Sequence, residues 1–194
     1  MKRTIFIFHG SYGSPKENWF PWLKKELEKF GHKVILPQFP IPKVKAPGGH
    51  QLNLWLKKFD EYRKFIDQNT IIIAHSRGAV FCYHLLPTLP CAVDSVFLVG
   101  GWLRYHWLPK SSKKINTFHQ KPFLWDEIKK KAEYFEFYQS TNDPEGIPIS
   151  DGKTVAGFLK AKLILVRESG HFSLSHDKKY DRFPLLLENI KKRL

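Results

Sequence analysis

The sequence predicts an α/β fold: a three-layer α/β/α sandwich around a mostly parallel central sheet of about six strands. Three observations predict it. Short runs that are apolar throughout recur along the chain, as expected of strands buried on both faces. Stretches with apolar residues at helical spacing fall between them. Proline and glycine stand at many of the joints.

Taken in order, Thr4–Phe8 reads as the first buried strand. Residues 19–30 place Trp19, Trp22, Leu23, Leu27 and Phe30 at helical spacing, with Gly31 following as a C-terminal cap. Lys33–Leu36 is a second strand, stopped by Pro37, and the Pro- and Gly-rich stretch from Phe39 to Gly49 is a loop. A second amphipathic helix is expected over Leu52–Ile66, and Thr70–Ala74 is a third strand. A helix follows from about Gly78 to Leu86, ahead of Pro87. Ser95–Val99, Tyr134–Tyr138 and Leu163–Val166 read as strands four to six, and Pro184–Lys192 as a closing helix. Residues 100–122 break the rhythm. Trp102, Tyr105, His106, Trp107 and Phe118 are scattered there among lysines, which suits either a cap over a site or a long loop packed on the sheet edge.

Length and composition bound the rest. A chain of 194 residues suits one domain spanning 1–194 and can bury a core without disulfides or metal. Its hydrophobic fraction of 42% is that of a globular protein. The two cysteines, Cys82 and Cys91, form no disulfide framework, which favours a reducing compartment. No run approaches the roughly 20 apolar residues of a membrane span. The N-terminal apolar run reads as a strand rather than a signal peptide, so a cytoplasmic location is expected. The net charge of +14 raises nucleic acid or an acidic surface as partners. The lysines are nevertheless dispersed in pairs and triplets, most of them on predicted helix faces, so a solvated basic surface is expected and no nucleic-acid role.

The residues that carry chemistry begin with Ala74-His75-Ser76-Arg77-Gly78, which follows a buried strand and opens a helix. This is the setting of a nucleophile elbow, a sharp turn that projects a serine hydroxyl from the end of a sheet. Bulky residues two before or two after the serine would clash across that turn, so Ala74 and Gly78 have the right size. The following helix turns its positive end toward the serine. A plain N-cap is the competing role for Ser76. In this architecture the partners follow in the order Ser, Asp, His, each just past a strand end. Asp143, after the fifth strand, is the candidate acid, with Glu145 and Asp151 as substitutes and an Asx-turn before Pro144 as the competing role. His171, after the sixth strand, is the candidate base. Of the other histidines only His9 and His75 lie at strand ends, and both are given flanking roles.

These placements predict an α/β-hydrolase fold and a Ser76–His171–Asp143 triad that cleaves a carboxylic ester, thioester or small amide through an acyl-enzyme. An oxyanion hole needs two backbone donors. Arg77 supplies one, and Ser11 in the loop after the first strand is the best second, ahead of Tyr12. His9, Gly10, Tyr12 and Trp102 are candidate pocket residues, Trp19 is either pocket or core, and Arg77 or Arg104 could attract an acidic substrate. No cofactor or metal is expected: the sequence has no GxxxxGK[ST], no GxGxxG and no clustered Cys/His spacing. The alternative is a binding or scaffold protein with the same fold and little turnover.

The chain also resembles the small serine hydrolases of the retinoblastoma-binding protein nine and YdeN type. The likeness runs over nearly the whole chain and is sharpest at residues 19–27, 70–78, 125–128, 140–144 and 170–172. It implies a compact, nearly lidless sandwich with the triad on Ser76, Asp143 and His171. Ala74 stands where the family usually has glycine. The LxCxE segment linked to retinoblastoma-protein binding is absent, so that partner is not implied.

Overall fold

The computed structural model describes residues 1–42, 49–103 and 117–194. Among these residues six strands form one sheet in the order β2-β1-β3-β4-β5-β6: β1 Thr4–Phe8, β2 Lys33–Ile35, β3 Ile71–His75, β4 Val93–Val99, β5 Ala132–Ser140 and β6 Lys162–Val166. Every neighbouring pair is parallel, so all six carboxyl ends share one rim. That rim is where sites form in such sheets.

The central strands β1, β3 and β4 are largely apolar on both sides because both sides are covered. Phe6, Phe8, Ile72, Ala74, Val96, Leu98 and Phe137 face one core, packed by α2 (Leu52–Asp60), α3 (Arg77–Leu85), α4 (Trp125–Lys129) and α5 (Ile149–Leu159). Ile5, Ile7, Ile71, Ile73, Phe97, Val99 and Tyr138 face the other, packed by α1 (Phe20–Lys29) and α6 (Pro184–Lys191). Trp19 belongs to this second core and is fully buried, which decides against a pocket role. The three-layer α/β/α sandwich is therefore present, with a sheet that is parallel throughout rather than mostly so.

Two elements depart from expectation. The helix expected over Leu52–Ile66 ends at Asp60, and a single tight turn covers Arg63–Phe65. The Asp67 side chain accepts from the Asn69 N–H at 2.9 Å, and Thr70 Oγ1 accepts from the Asp67 N–H at 2.9 Å. These local side-chain bonds compete with helix continuation. Conversely, α5 is a full helix where none was expected. Gly152 and Gly157 weaken the pattern there, but a Cβ on Gly152 would stand 2.9 Å from Gln139 Oε1, so close packing of α5 on β5 requires the glycine.

Residues 104–116 lie outside the described residues, and with them most of the segment offered as cap or loop, including Arg104, Tyr105, His106 and Trp107. Of its ends, Phe118 is fully buried in the α2–α3 core and Trp102 nearly so. No helix among the described residues is long and apolar enough to cross a membrane.

Candidate active site

The site is built on the turn between β3 and α3. Ser76 holds φ 56° and ψ −123° there, and its N–H is tied to the Val99 carbonyl at 2.8 Å. It stands at the helix N-terminus but makes no side-chain cap, which removes the competing role. The turn is tight because its neighbours carry no bulk. A Cβ on Gly78 would lie 2.8 Å from the carbonyl oxygens of both Phe8 and His9. Gly10 presses on the serine in the same way, since a Cβ there would come within 2.8 Å of Ser76 Cβ. The loop after β1 thus lies directly against the hydroxyl.

Two further strand ends complete the arrangement. From the loop after β6, His171 brings Nε2 to 2.8 Å from Ser76 Oγ. From the loop after β5, Asp143 brings Oδ2 to 2.8 Å from His171 Nδ1. Asp143 Oδ1 also accepts the Glu145 N–H at 3.0 Å, so the Asx-turn and the bond to His171 coexist on one carboxylate whose side chain is fully buried. The other acidic candidates point elsewhere. Asp151 accepts from the Leu103 N–H at 2.9 Å, and Glu145 faces His176 at 3.7 Å.

Sequence reasoning missed the residues that join these two loops. Asn142 Oδ1 accepts from the Gly170 N–H at 3.0 Å, Ser140 Oγ from the Ser169 N–H at 3.2 Å and Thr141 Oγ1 from the Glu168 N–H at 3.1 Å. The signal was the run of short polar side chains just ahead of Asp143, a composition suited to bonding nearby backbone.

His9 is not a wall of the cavity, in contrast to the expectation. Its Nε2 accepts the Phe39 N–H at 2.9 Å, which leaves the proton on Nδ1 to be donated to the Gly10 carbonyl at 2.8 Å. Its ring therefore sits behind the loop, orienting it, and burial lowers its pKa. Ser11 Oγ accepts from Arg77 Nε at 2.8 Å, and the nearly buried Arg77 guanidinium packs 5.1 Å from the Phe118 ring and 5.8 Å from Trp102. A cavity of about 440 Å³ opens over Ser76 and His171, lined by Gly10, Ser11, Tyr12 and Trp102 among others. Among the described residues no group of His, Cys, Asp and Glu is arranged to hold a metal.

A hydroxyl bonded to an imidazole, itself bonded to a carboxylate, can lose its proton to the ring as it attacks an electrophile. The serine hydrolase family model matches residues 5–192. The chain belongs to the serine hydrolase family. Among curated relatives, it is 29% identical over 174 residues to the putative hydrolase YdeN of Bacillus subtilis (strain 168), covering 89% of this chain and 87% of that protein. It is 28% identical over 172 residues to serine hydrolase RBBP9 of Rattus norvegicus, covering 88% and 87%. The crystal structure of the B. subtilis YdeN product superposes with a TM-score of 0.83 at 26% identity, covering 100% of this chain and 98% of that one. As a serine hydrolase this chain has the α/β-hydrolase sandwich and is a hydrolytic enzyme.

Proposed function

We propose that this serine hydrolase cleaves a carboxylic ester, thioester or small amide through an acyl-enzyme on Ser76. The observation that carries the reading is the unbroken pair of 2.8 Å bonds from Ser76 Oγ to His171 and from His171 to Asp143, at the floor of the cavity. His171 takes the serine proton as Oγ attacks the acyl carbonyl, and returns it to the leaving group. Asp143 holds the proton on Nδ1, so that Nε2 is bare and faces the hydroxyl. The backbone N–H groups of Arg77 and Ser11 receive the developing oxyanion, each worth about 3 kcal/mol in the transition state. Gly10, pressed on Ser76, supports this role for the loop after β1. Water then attacks the acyl group by the reverse path, and the chain acts as one catalytic unit. The cavity suits a small acyl compound, with Tyr12 and Trp102 offering ring surface to it.

A fluorophosphonate probe tests the reading. Rapid labelling of the wild type, abolished in Ser76→Ala and strongly slowed in His171→Ala, is expected. Absence of labelling in a folded wild type would overturn it in favour of a protein that keeps the shape with little turnover.

A further inference from the structure

Behind the reacting groups, two buried ring N–H donors converge on the loop that carries His171. That loop bends hard: Glu168, Gly170 and Phe172 all have positive φ, at 45°, 52° and 52°. Such a path persists only where its surroundings over-determine it. Two consecutive carbonyls are gripped. The His171 carbonyl accepts from His75 Nε2–H at 2.8 Å, and the Phe172 carbonyl accepts from Trp19 Nε1–H at 3.0 Å. His75 is the last residue of β3, directly before Ser76, and Trp19 stands just ahead of α1. His75 is 3% exposed and Trp19 fully buried.

We propose that His75 and Trp19 are positioning residues, a two-point clamp on the His171 and Phe172 carbonyls that holds the residue 171 imidazole in line between Ser76 and Asp143. The inference rests on the triad reading for its effect on turnover. Asp143 steers the ring only from its Nδ1 side; the origin of the ring is the backbone, and the clamp fixes that. Because His75 adjoins Ser76 in the chain, one bond ties the nucleophile's neighbour to the base's own peptide. Donation from Nε2 leaves His75 Nδ1 bare, and that atom has no hydrogen-bond partner among the described residues. Burial, with His171 close by, pushes His75 down to about 3. The ring thus stays neutral and puts no positive charge beside His171 when that imidazole takes up its proton.

The rival account is that the two donors merely satisfy buried carbonyls, and the variants separate the two. In His75→Leu the donor is lost at similar bulk; in His75→Gln a side-chain N–H can still reach the carbonyl. Trp19→Phe removes the second donor and keeps a ring. With an activated ester, kcat should fall on the order of 10- to 100-fold in His75→Leu, as for a base displaced by a fraction of an ångström. KM should change less than about twofold, Gln should recover most of the rate, and Trp19→Phe should show the same split more weakly. Independently of turnover, side-chain 15N NMR of the wild type should show His75 as the Nε2–H tautomer. Amide exchange at residues 168–172 should quicken in the Leu and Phe variants. Unchanged kcat with only a lowered Tm, a Gln variant as slow as Leu, or unaltered loop exchange would overturn the clamp. Should His75→Leu not fold, Trp19→Phe decides. Should the wild type fail to label with fluorophosphonate, the triad reading falls, while the tautomer and exchange measurements still judge the clamp.

Discussion

Replacing Asp143 by Asn tests the proposed triad at its least visible member. The two residues are nearly isosteric, and the site dictates which way the new amide must face. Oδ1 of residue 143 already accepts the Glu145 N–H at 3.0 Å, so the amide oxygen has to stay on that side. The amide nitrogen is then turned toward His171 Nδ1, where the carboxylate oxygen stood at 2.8 Å. An NH2 donor there requires a bare Nδ1 and moves the ring proton to Nε2, the atom that faces Ser76 Oγ at 2.8 Å. A ring protonated at Nε2 cannot accept the serine proton. A wrong tautomer of this kind lowers kcat about 10⁴-fold, or some 5 kcal/mol of barrier. Hydrolysis of an activated ester and the rate of fluorophosphonate labelling both report it, with Tm as the control for folding. Glu145→Gln, altering the exposed carboxylate next door, should stay within about threefold of wild type, as expected of a weak surface pair. An Asp143→Asn enzyme that keeps more than about a tenth of the wild-type kcat would refute this tautomer argument.

Three further outcomes follow from the packing. Gly78→Ala would drive a methyl to 2.8 Å from the Phe8 and His9 carbonyl oxygens, atoms of a central strand end that cannot swing aside; a loss of about 1–3 kcal/mol in urea unfolding is expected, together with slower probe labelling, and a stability equal to wild type would contradict the fit. His50 is almost wholly buried against Tyr12 with neither ring nitrogen bonded among the described residues, and burial, followed by the nearby Arg77, holds its pKa down at about 3. Its folded pKa lies below the unfolded value near 6.5, so its contribution is complete above that pH and is lost as pH falls toward 3. His50→Phe should therefore be neutral or up to about 1 kcal/mol stabilising at pH 7, and should flatten the decline in stability between pH 6.5 and 4 by up to about 1.4 kcal/mol per pH unit; an unchanged slope in denaturant titrations at several pH values would count against it. Glu136, buried within β5, accepts from the Tyr134 hydroxyl at 2.5 Å, from the Tyr138 hydroxyl and from Asn189 Nδ2 at 2.8 Å. Glu136→Ala should cost about 3 kcal/mol by removing the buried acceptor these donors share, the Asn189 amide keeping its bond to the Tyr138 hydroxyl at 2.9 Å; this is read as a fall in Tm with kcat at low temperature preserved, and a Tm within a degree or two of wild type would refute it.

What the sequence could reveal depended on how local the cause was. The strands were legible because a parallel sheet covered on both faces demands apolar runs such as Thr4–Phe8 and Ile71–Ala74, and nothing distant alters that demand. Ser76 was legible for the same reason, since a turn between strand and helix leaves its mark in five consecutive residues. Asp143 and His171 could be placed at strand ends, but their meeting depends on contacts between loops: Asn142 with Gly170 and Ser140 with Ser169. No local pattern encodes those contacts. Helix α5 was hidden because its glycine at 152 answers to Gln139 on another element, and the inward turn of His9 answers to Phe39, thirty residues away.

The backbone at Ser76, with φ 56° and ψ −123°, occupies ground that suits glycine and costs a side-chain-bearing residue about 1–3 kcal/mol. On the proposed role of Ser76, heat resistance and turnover therefore pull in opposite directions at this one position. Selection for melting temperature alone would favour Ser76→Gly, gaining stability and discarding the reaction in a single step. Descendants freed from the need for catalysis are expected to drift that way, so a glycine at the elbow of an otherwise intact relative would mark a lineage in which the chemistry had been abandoned and the scaffold kept.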